Sequence, residues 1–208
     1  MEILSNINIQ FYIAAYLIGG IPFGLILAKT FTSTDIRTTG SGSIGATNVL
    51  RALKESNPKL AKKLAAATLV LDALKGIFVL GLASFFGLGQ EILWTIAILA
   101  VVGHCYSPYL KFEGGKGVAT GMGVFLFLLP VETILAMITW FIAGKIIKIS
   151  SVSSLVGLLT LVIASFIIHP DIPEIKTHAP ILILSFLIIY KHIPNIMRLS
   201  VGKETKVV

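Results

Sequence analysis

A single cysteine, Cys105, stands in the 208 residues of this chain, so no intrachain disulfide framework can hold it together. Charge is scarce as well. Asp, Glu, Lys and Arg make up 13% of the residues, about half the roughly 25% of an ordinary soluble domain, which is too little to hydrate a soluble surface. Acidic residues are the scarcer sign, 10 against 17 basic, leaving a net charge of +7. The four histidines, at 104, 169, 178 and 192, lack metal-ligand spacing and have no cysteine pair to join, so no metal site is expected. The N-terminus has neither a basic n-region nor a small-residue cleavage site, and the first apolar run is expected to be retained. No internal repeat of the kind that builds many transporters is visible.

What the chain does have is hydrocarbon. Hydrophobic residues are 55% of the sequence and the mean hydropathy is +0.91. The apolar runs lie at 10–29, 64–88, 93–110, 118–129, 131–147, 152–168 and 181–190, of which the fourth and the seventh are short for a bilayer crossing. This predicts an all-α, polytopic membrane protein of about seven helices, forming one domain over 1–208. With seven crossings the basic residues sort to one side. Arg37, Arg51, Lys54, Lys59, Lys62 and Lys63 follow the first span, and Lys111 and Lys116 the third. Lys145 and Lys148 follow the fifth, and Lys191, Arg198, Lys203 and Lys206 the seventh, whereas the opposite loops hold only Lys176. The positive-inside rule then puts the N-terminus outside and the C-terminus in the cytoplasm. Cations dispersed over loops suit anionic lipid headgroups, and nucleic acid is not an expected partner.

Two glycine-rich segments lie on that basic side. The first, 39–51 (TGSGSIGATNVLR), contains a formal G-x-G-x-x-G in Gly40, Gly42 and Gly45. No strand precedes it and no acidic residue follows at the required distance, so a dinucleotide site is excluded. What remains is a flexible loop entering a helix at 46–54, with Thr47, Asn48 and Arg51 on one face. It is read either as an anion cradle at a helix N-terminus or as a re-entrant turn. The second, 112–120 (FEGGKGVAT), fails as a Walker A loop: Leu110 replaces the first glycine, and Gly117 stands where Ser or Thr should follow the lysine. Lys116 between glycines is either a phosphate-binding cation beside open backbone N–H groups or a snorkelling lysine.

Further polar clusters are expected on the same face. Four serines lie within 150–154, more than N-capping alone requires, and His192, Asn195 and Arg198 are spaced three apart on a short amphipathic helix. Within the second span Asp72 and Lys75 are placed to pair at i, i+3, read chiefly as a structural pair, while His104 closes the third span and is assigned to the site. Cys105 beside His104 is no nucleophilic pair, because helical neighbours point about 100° apart.

These residues together resemble a known family. SGSIGATN at 41–48 with Arg51, LDALKG at 71–76, Gly103-His104, the 112–120 loop, the serine run and the 192–204 stretch are similar, in order and over nearly the whole chain, to the bacterial membrane glycerol-3-phosphate acyltransferases that use acyl-phosphate as donor. The resemblance implies an inner-membrane enzyme, its site facing the cytoplasm. It would move a fatty acyl group from acyl-phosphate to the 1-hydroxyl of glycerol 3-phosphate, giving lysophosphatidic acid and phosphate, without a cofactor. The enzyme that forms the acyl-phosphate upstream is the expected protein partner. By the same resemblance Lys116, Ser151, His192 and Asn195 are the catalytic candidates. Arg51, Ser41, Gly42, Ser43, Gly45, Thr47 and Asn48 are substrate-binding candidates, with His104, Gly114, Gly115, Gly117, Thr120, Arg198 and Glu204. The chain departs from the family pattern at Ser43, where asparagine is usual, and at Ile193 and Pro194, where an arginine after His192 is the commoner arrangement. The missing arginine is expected to weaken affinity or to move the phosphate contact to Lys191 or Arg198.

Overall fold

The computed structural model describes residues 5–206, and these are helical throughout, with no strand among them. The helices are α1 (Ile7–Gly20), α2 (Phe23–Thr32), α3 (Ala46–Leu53), α4 (Pro58–Phe85), α5 (Gln90–Cys105), α6 (Val118–Leu128), α7 (Pro130–Ile147), α8 (Ser150–Ile168), α9 (Ala179–Lys191) and α10 (Ile193–Ser200). Five stretches are long and apolar enough to cross a membrane: Ile7–Thr32, Pro58–Phe85, Gln90–Leu110, Pro130–Ile147 and Ser150–Ile168. A sixth forms if α9 and α10, bent by 53° at His192, count together. The run expected at 118–129 is α6, whose 11 residues rise about 16 Å, roughly half the hydrocarbon core.

Prolines and glycines set the breaks. Pro22 cannot donate to the preceding turn, so the first crossing splits into α1 and α2 and frees carbonyls in the middle of the bundle. Two are satisfied from elsewhere in the chain, by Lys75 of α4 and by Ser107 just after α5. Lys75 Nζ donates to Ile21 O at 2.9 Å, and Ser107 Oγ donates to Gly20 O at 2.7 Å. Pro130 likewise starts α7 directly after α6, with Leu129 as the one residue between them. At the other turn of α4, Asn57 caps the helix by accepting from Leu60 N, and Pro58 fills the first helical position.

Helices approach closely through glycine. A Cβ on Gly19 would strike the backbone of Ala100 and one on Gly103 that of Tyr16, so α1 and α5 meet through a reciprocal glycine seam. Gly123 against Ala73, and Gly76 against Thr120, do the same for α6 and α4. The main core lies around Phe11, Leu80, Trp94, Phe125, Leu161 and Leu184, and large apolar side chains such as Phe78, Phe85, Ile167 and Phe186 face outward. Gly103→Leu or Gly123→Leu is therefore expected to destabilise the fold by about 1–3 kcal/mol or more. Gly89→Ala, which meets nothing within 4 Å, should stay within about 0.5 kcal/mol; thermal unfolding in detergent measures all three.

Candidate active site

The first glycine-rich loop is built on Asn48. Its Oδ1 accepts from Ser41 N at 2.8 Å and Ser41 Oγ at 3.3 Å, while Nδ2 donates to Ile36 O at 2.7 Å and Thr39 O at 3.2 Å. Asn48 is 1% exposed, so its amide is spent on holding the loop, although the residue still borders the cavity. Gly40 and Gly42 take φ of +60° and +68°, and a Cβ on Gly40 would run into Asn48 Oδ1. Before this loop, the Arg37 guanidinium beside Asp35 holds that carboxyl well below the usual carboxylate range. Gly45 is the N-cap of α3 and offers no side-chain cap, and Ser41, Ser43, Gly45, Thr47 and Arg51 border one cavity. Thr47 Oγ1 shares a 2.9 Å hydrogen bond with Ser150 Oγ, tying α3 to α8.

The second loop folds inward onto His104. Gly115 N donates to His104 O at 3.0 Å, so this N–H is already used within the protein. A Cβ on Gly114 would meet the His104 carbonyl, and one on Gly115 the His104 ring. Close approach is therefore the reason these two positions are glycine. Gly117, at φ +82°, is the N-cap of α6 and turns the chain into that helix. Lys116 reaches the cavity from this loop. Burial pushes its ammonium down to about 8; Glu204 pulls it up, and Arg198 and Arg51 push it down. Thr120 is fully buried with no partner for its hydroxyl, and like Gly42, Gly114, Gly115 and Gly117 it is not part of the cavity wall.

The serine run divides its work. α8 is capped by Ile149 without a side-chain bond, so none of the serines is the N-cap. Ser153 and Ser154 bond back to Ile149 O and Ser150 O, and Ser150, Ser151 and Ser154 all border the cavity. Ser151 Oγ donates to Glu204 Oε1 at 3.0 Å. Asn195 Nδ2 donates to the same oxygen at 2.7 Å, and Arg198 Nε to Oε2 at 2.7 Å. Burial pushes the Glu204 carboxyl up, but these hydrogen bonds together outweigh it and hold the group below its ordinary value. Arg198 thus serves Glu204 and lies outside the cavity wall. The tail continues to Thr205, whose carbonyl accepts from Arg51 Nη2 at 2.9 Å. Lys191 donates to Cys105 O and lies over the Tyr106 ring, and it is not part of the cavity wall.

His192 is 2% exposed, and its Nδ1 lies 2.8 Å from Ile188 O. A carbonyl only accepts, so Nδ1 carries the proton and Nε2 keeps its lone pair. Two polar atoms of the wall are buried and unpartnered, the donor Arg51 Nε and the acceptor Asn195 Oδ1. The cavity encloses about 720 Å³ of empty volume up to its open mouth. Through Leu69, Val118, Ala119, Trp140 and Ser154 it shares its wall with an apolar groove of about 590 Å³ between α6, α7 and α8. Asp72, Ser150, Trp140 and Leu69 border the cavity without having been singled out for it from sequence. Of these Ser150 belonged to the serine run read as a polar cluster, and Asp72 carried a signal as an ionisable group inside a span.

The family model for glycerol-3-phosphate acyltransferase matches residues 9–202. The chain belongs to that family. Full-length relatives include the glycerol-3-phosphate acyltransferases of Sulfurimonas denitrificans, 62% identical over 208 residues, and of Wolinella succinogenes, 60% identical over 208 residues, each covering 100% of both chains. The fold is similar to the crystal structure of PlsY (YgiH), an integral membrane glycerol 3-phosphate acyltransferase, in its glycerol 3-phosphate form. The TM-score is 0.86 at 32% identity, over 97% of this chain and 96% of that one. The lysophosphatidic acid form of the same enzyme gives 0.83 at 31% identity, over 97% and 95%.

The acyltransferase's Lys116 supplies a pH test. A phosphate dianion binds the charged ammonium better, and the free-protein group loses its charge as pH rises through about 8. Affinity for glycerol 3-phosphate should be flat below that pH and fall about tenfold per unit above it, with proton uptake on binding. Titration calorimetry between pH 7 and 10 measures this, and Lys116→Met should show weaker binding without the inflection.

Proposed function

We propose that the protein transfers a fatty acyl group from acyl-phosphate to the 1-hydroxyl of glycerol 3-phosphate, releasing lysophosphatidic acid and phosphate. One observation carries this reading: a polar cavity bordered by Arg51 and Lys116 shares a wall with an apolar groove. A ligand with an anionic head and a hydrocarbon tail fits both halves. The groove takes the acyl chain from the bilayer, and the cavity holds the two phosphate groups, one of them shared by Arg51 and Lys116 and the other at the first turn of α3. Buried polar atoms normally have partners, so the two left open suggest their ligands. Arg51 Nε suits a phosphate oxygen and Asn195 Oδ1 a glycerol hydroxyl.

The chemistry needs no acyl-enzyme. Acyl-phosphate is already activated, and Ser151 Oγ gives its hydrogen bond to Glu204. Three hydrogen bonds hold that carboxylate below its ordinary value, and it is too weak a base to make the serine a nucleophile. The 1-hydroxyl oxygen attacks the acyl carbonyl carbon, forming the ester C–O bond. The bond from that carbon to the phosphate oxygen breaks, and its electron pair leaves with phosphate. The hydroxyl proton passes to Nε2 of His192, whose lone pair the Ile188 carbonyl keeps free. Lys116 and Arg51 offset the charge that develops on the leaving phosphate.

The membrane arrangement that serves this chemistry has the N-terminus outside and the C-terminus at the cytoplasmic face of the inner membrane, following the charge of the loops. The half-length α6 counts as a seventh crossing, continued toward the inner face by the loop that carries Lys116. The test is purified protein with palmitoyl-phosphate and glycerol 3-phosphate, following phosphate release and lysophosphatidic acid. Arg51→Ala and Lys116→Ala are each expected to lower kcat/KM about 10²-fold or more while the fold is kept. Phosphate-ester transport into proteoliposomes without acylated product would overturn the reading in favour of a carrier.

A further inference from the structure

The Asp72–Lys75 pair has a use beyond filling the bundle. Lys75 Nζ is surrounded by three acceptors: Asp72 Oδ1 at 2.7 Å, Ile21 O at 2.9 Å and His104 Nδ1 at 3.0 Å. The salt bridge to Asp72 favours the charged form, and an ammonium, with three N–H bonds and no lone pair, then donates to all three. A carbonyl and a carboxylate can only accept, and Nδ1 in line with an N–H must accept too. His104 is thereby a neutral imidazole with its proton on Nε2. This is the opposite tautomer to His192, whose proton sits on Nδ1 against Ile188 O.

His104 borders the polar cavity, and its Nε2, on the ring edge toward Gly115, is reached by no hydrogen bond among the described residues. Asp72 borders the same cavity, and Leu69, one helical turn earlier on α4, borders both cavity and groove. His104 therefore stands beside the junction where an acyl carbonyl would lie. A buried carboxylate next to it disfavours a phosphate there and tolerates a neutral carbonyl.

We infer that Asp72 and Lys75 are positioning residues that lock His104 as a neutral Nε2–H donor to the acyl carbonyl oxygen, the atom that becomes the oxyanion during transfer. This rests on the acyl-transfer reading proposed above and assigns its oxyanion donor. His104 is then a catalytic residue, and the tight glycine pair at 114–115 is what lets the loop press against its ring without covering the cavity.

The test uses full-length protein in lipid nanodiscs, with ¹⁵N-labelled histidine and His104→Phe to assign the resonance. The wild-type spectrum should show His104 protonated at Nε2 and bare at Nδ1. Lys75→Met should release that lock, giving a mixed-tautomer signal for His104. In turnover of palmitoyl-phosphate, His104→Phe should lower kcat about 10²-fold, and Lys75→Met at least tenfold, with KM for glycerol 3-phosphate changed less than about threefold. A wild-type Nδ1–H or doubly protonated His104 would overturn the inference, and that result needs no variant to fold. So would a raised KM with unchanged kcat in His104→Phe, which would put the ring on a phosphate, and so would wild-type kcat in Lys75→Met. A wild-type protein that turns over no acyl-phosphate at all would instead sink the functional reading beneath it.

Discussion

One carboxylate ties the cavity together. Three cations, Arg51, Lys116 and Arg198, come from three separate stretches of chain, and left alone they would repel one another. Glu204 lies among them, accepting from Arg198, Asn195 and Ser151 and so joining α8, α10 and the tail. Its neighbour Thr205 extends the join to Arg51 on α3. The hydrogen-bonded anion neutralises part of the positive field and leaves the rest for a ligand. Arg198 is 40% exposed, so solvent screens its pair with Glu204, and removing either member costs less than the ~3–5 kcal/mol of a fully buried pair. Positioning of the cavity wall and stability of its rim are therefore one property.

The same accounting runs through the bundle interior. Hydrocarbon offers no hydrogen bonds, so each polar group carried into it must be matched inside the protein. The break at Pro22 exposes the carbonyls of Gly20 and Ile21, and Ser107 and Lys75 meet them. The charge that Lys75 brings is balanced by Asp72, and its last N–H is taken by His104. A proline in one helix is thus connected, through obligatory hydrogen bonds, to the protonation state of a histidine at the cavity. The glycine seams between α1 and α5 and between α4 and α6 bring these backbones near enough for the connection to close.

Much of this was legible in the sequence, because hydropathy and loop charge depend only on residue type. The apolar runs became helices, and the four polar clusters at 39–51, 112–120, 150–154 and 192–204 all contribute to one cavity. What sequence could not say is which atom takes which hydrogen bond. The glycines at 114 and 115 read as open N–H donors, but His104 fills the space and takes the N–H of Gly115. Asn48 read as a ligand contact, and its amide is used up by its own loop. The missing arginine read as a loss of affinity or a phosphate contact moved to Lys191 or Arg198, and sequence did not show that Lys191 donates to Cys105 O and Arg198 to Glu204. The short run at 118–129 was legible too, and α6 spans Val118–Leu128 between Gly117 and Pro130.

The central claim is that Arg51 and Lys116 hold one ligand phosphate between them. The most direct measurement is solid-state NMR recoupling between ³¹P of bound glycerol 3-phosphate or acyl-phosphate and the side-chain ¹⁵N of these two residues. The account predicts that one phosphorus couples to both side chains at salt-bridge contact, with N···O separations of about 4 Å or less. Coupling of the phosphate to neither side chain, while the ligand is bound and turned over, would contradict it.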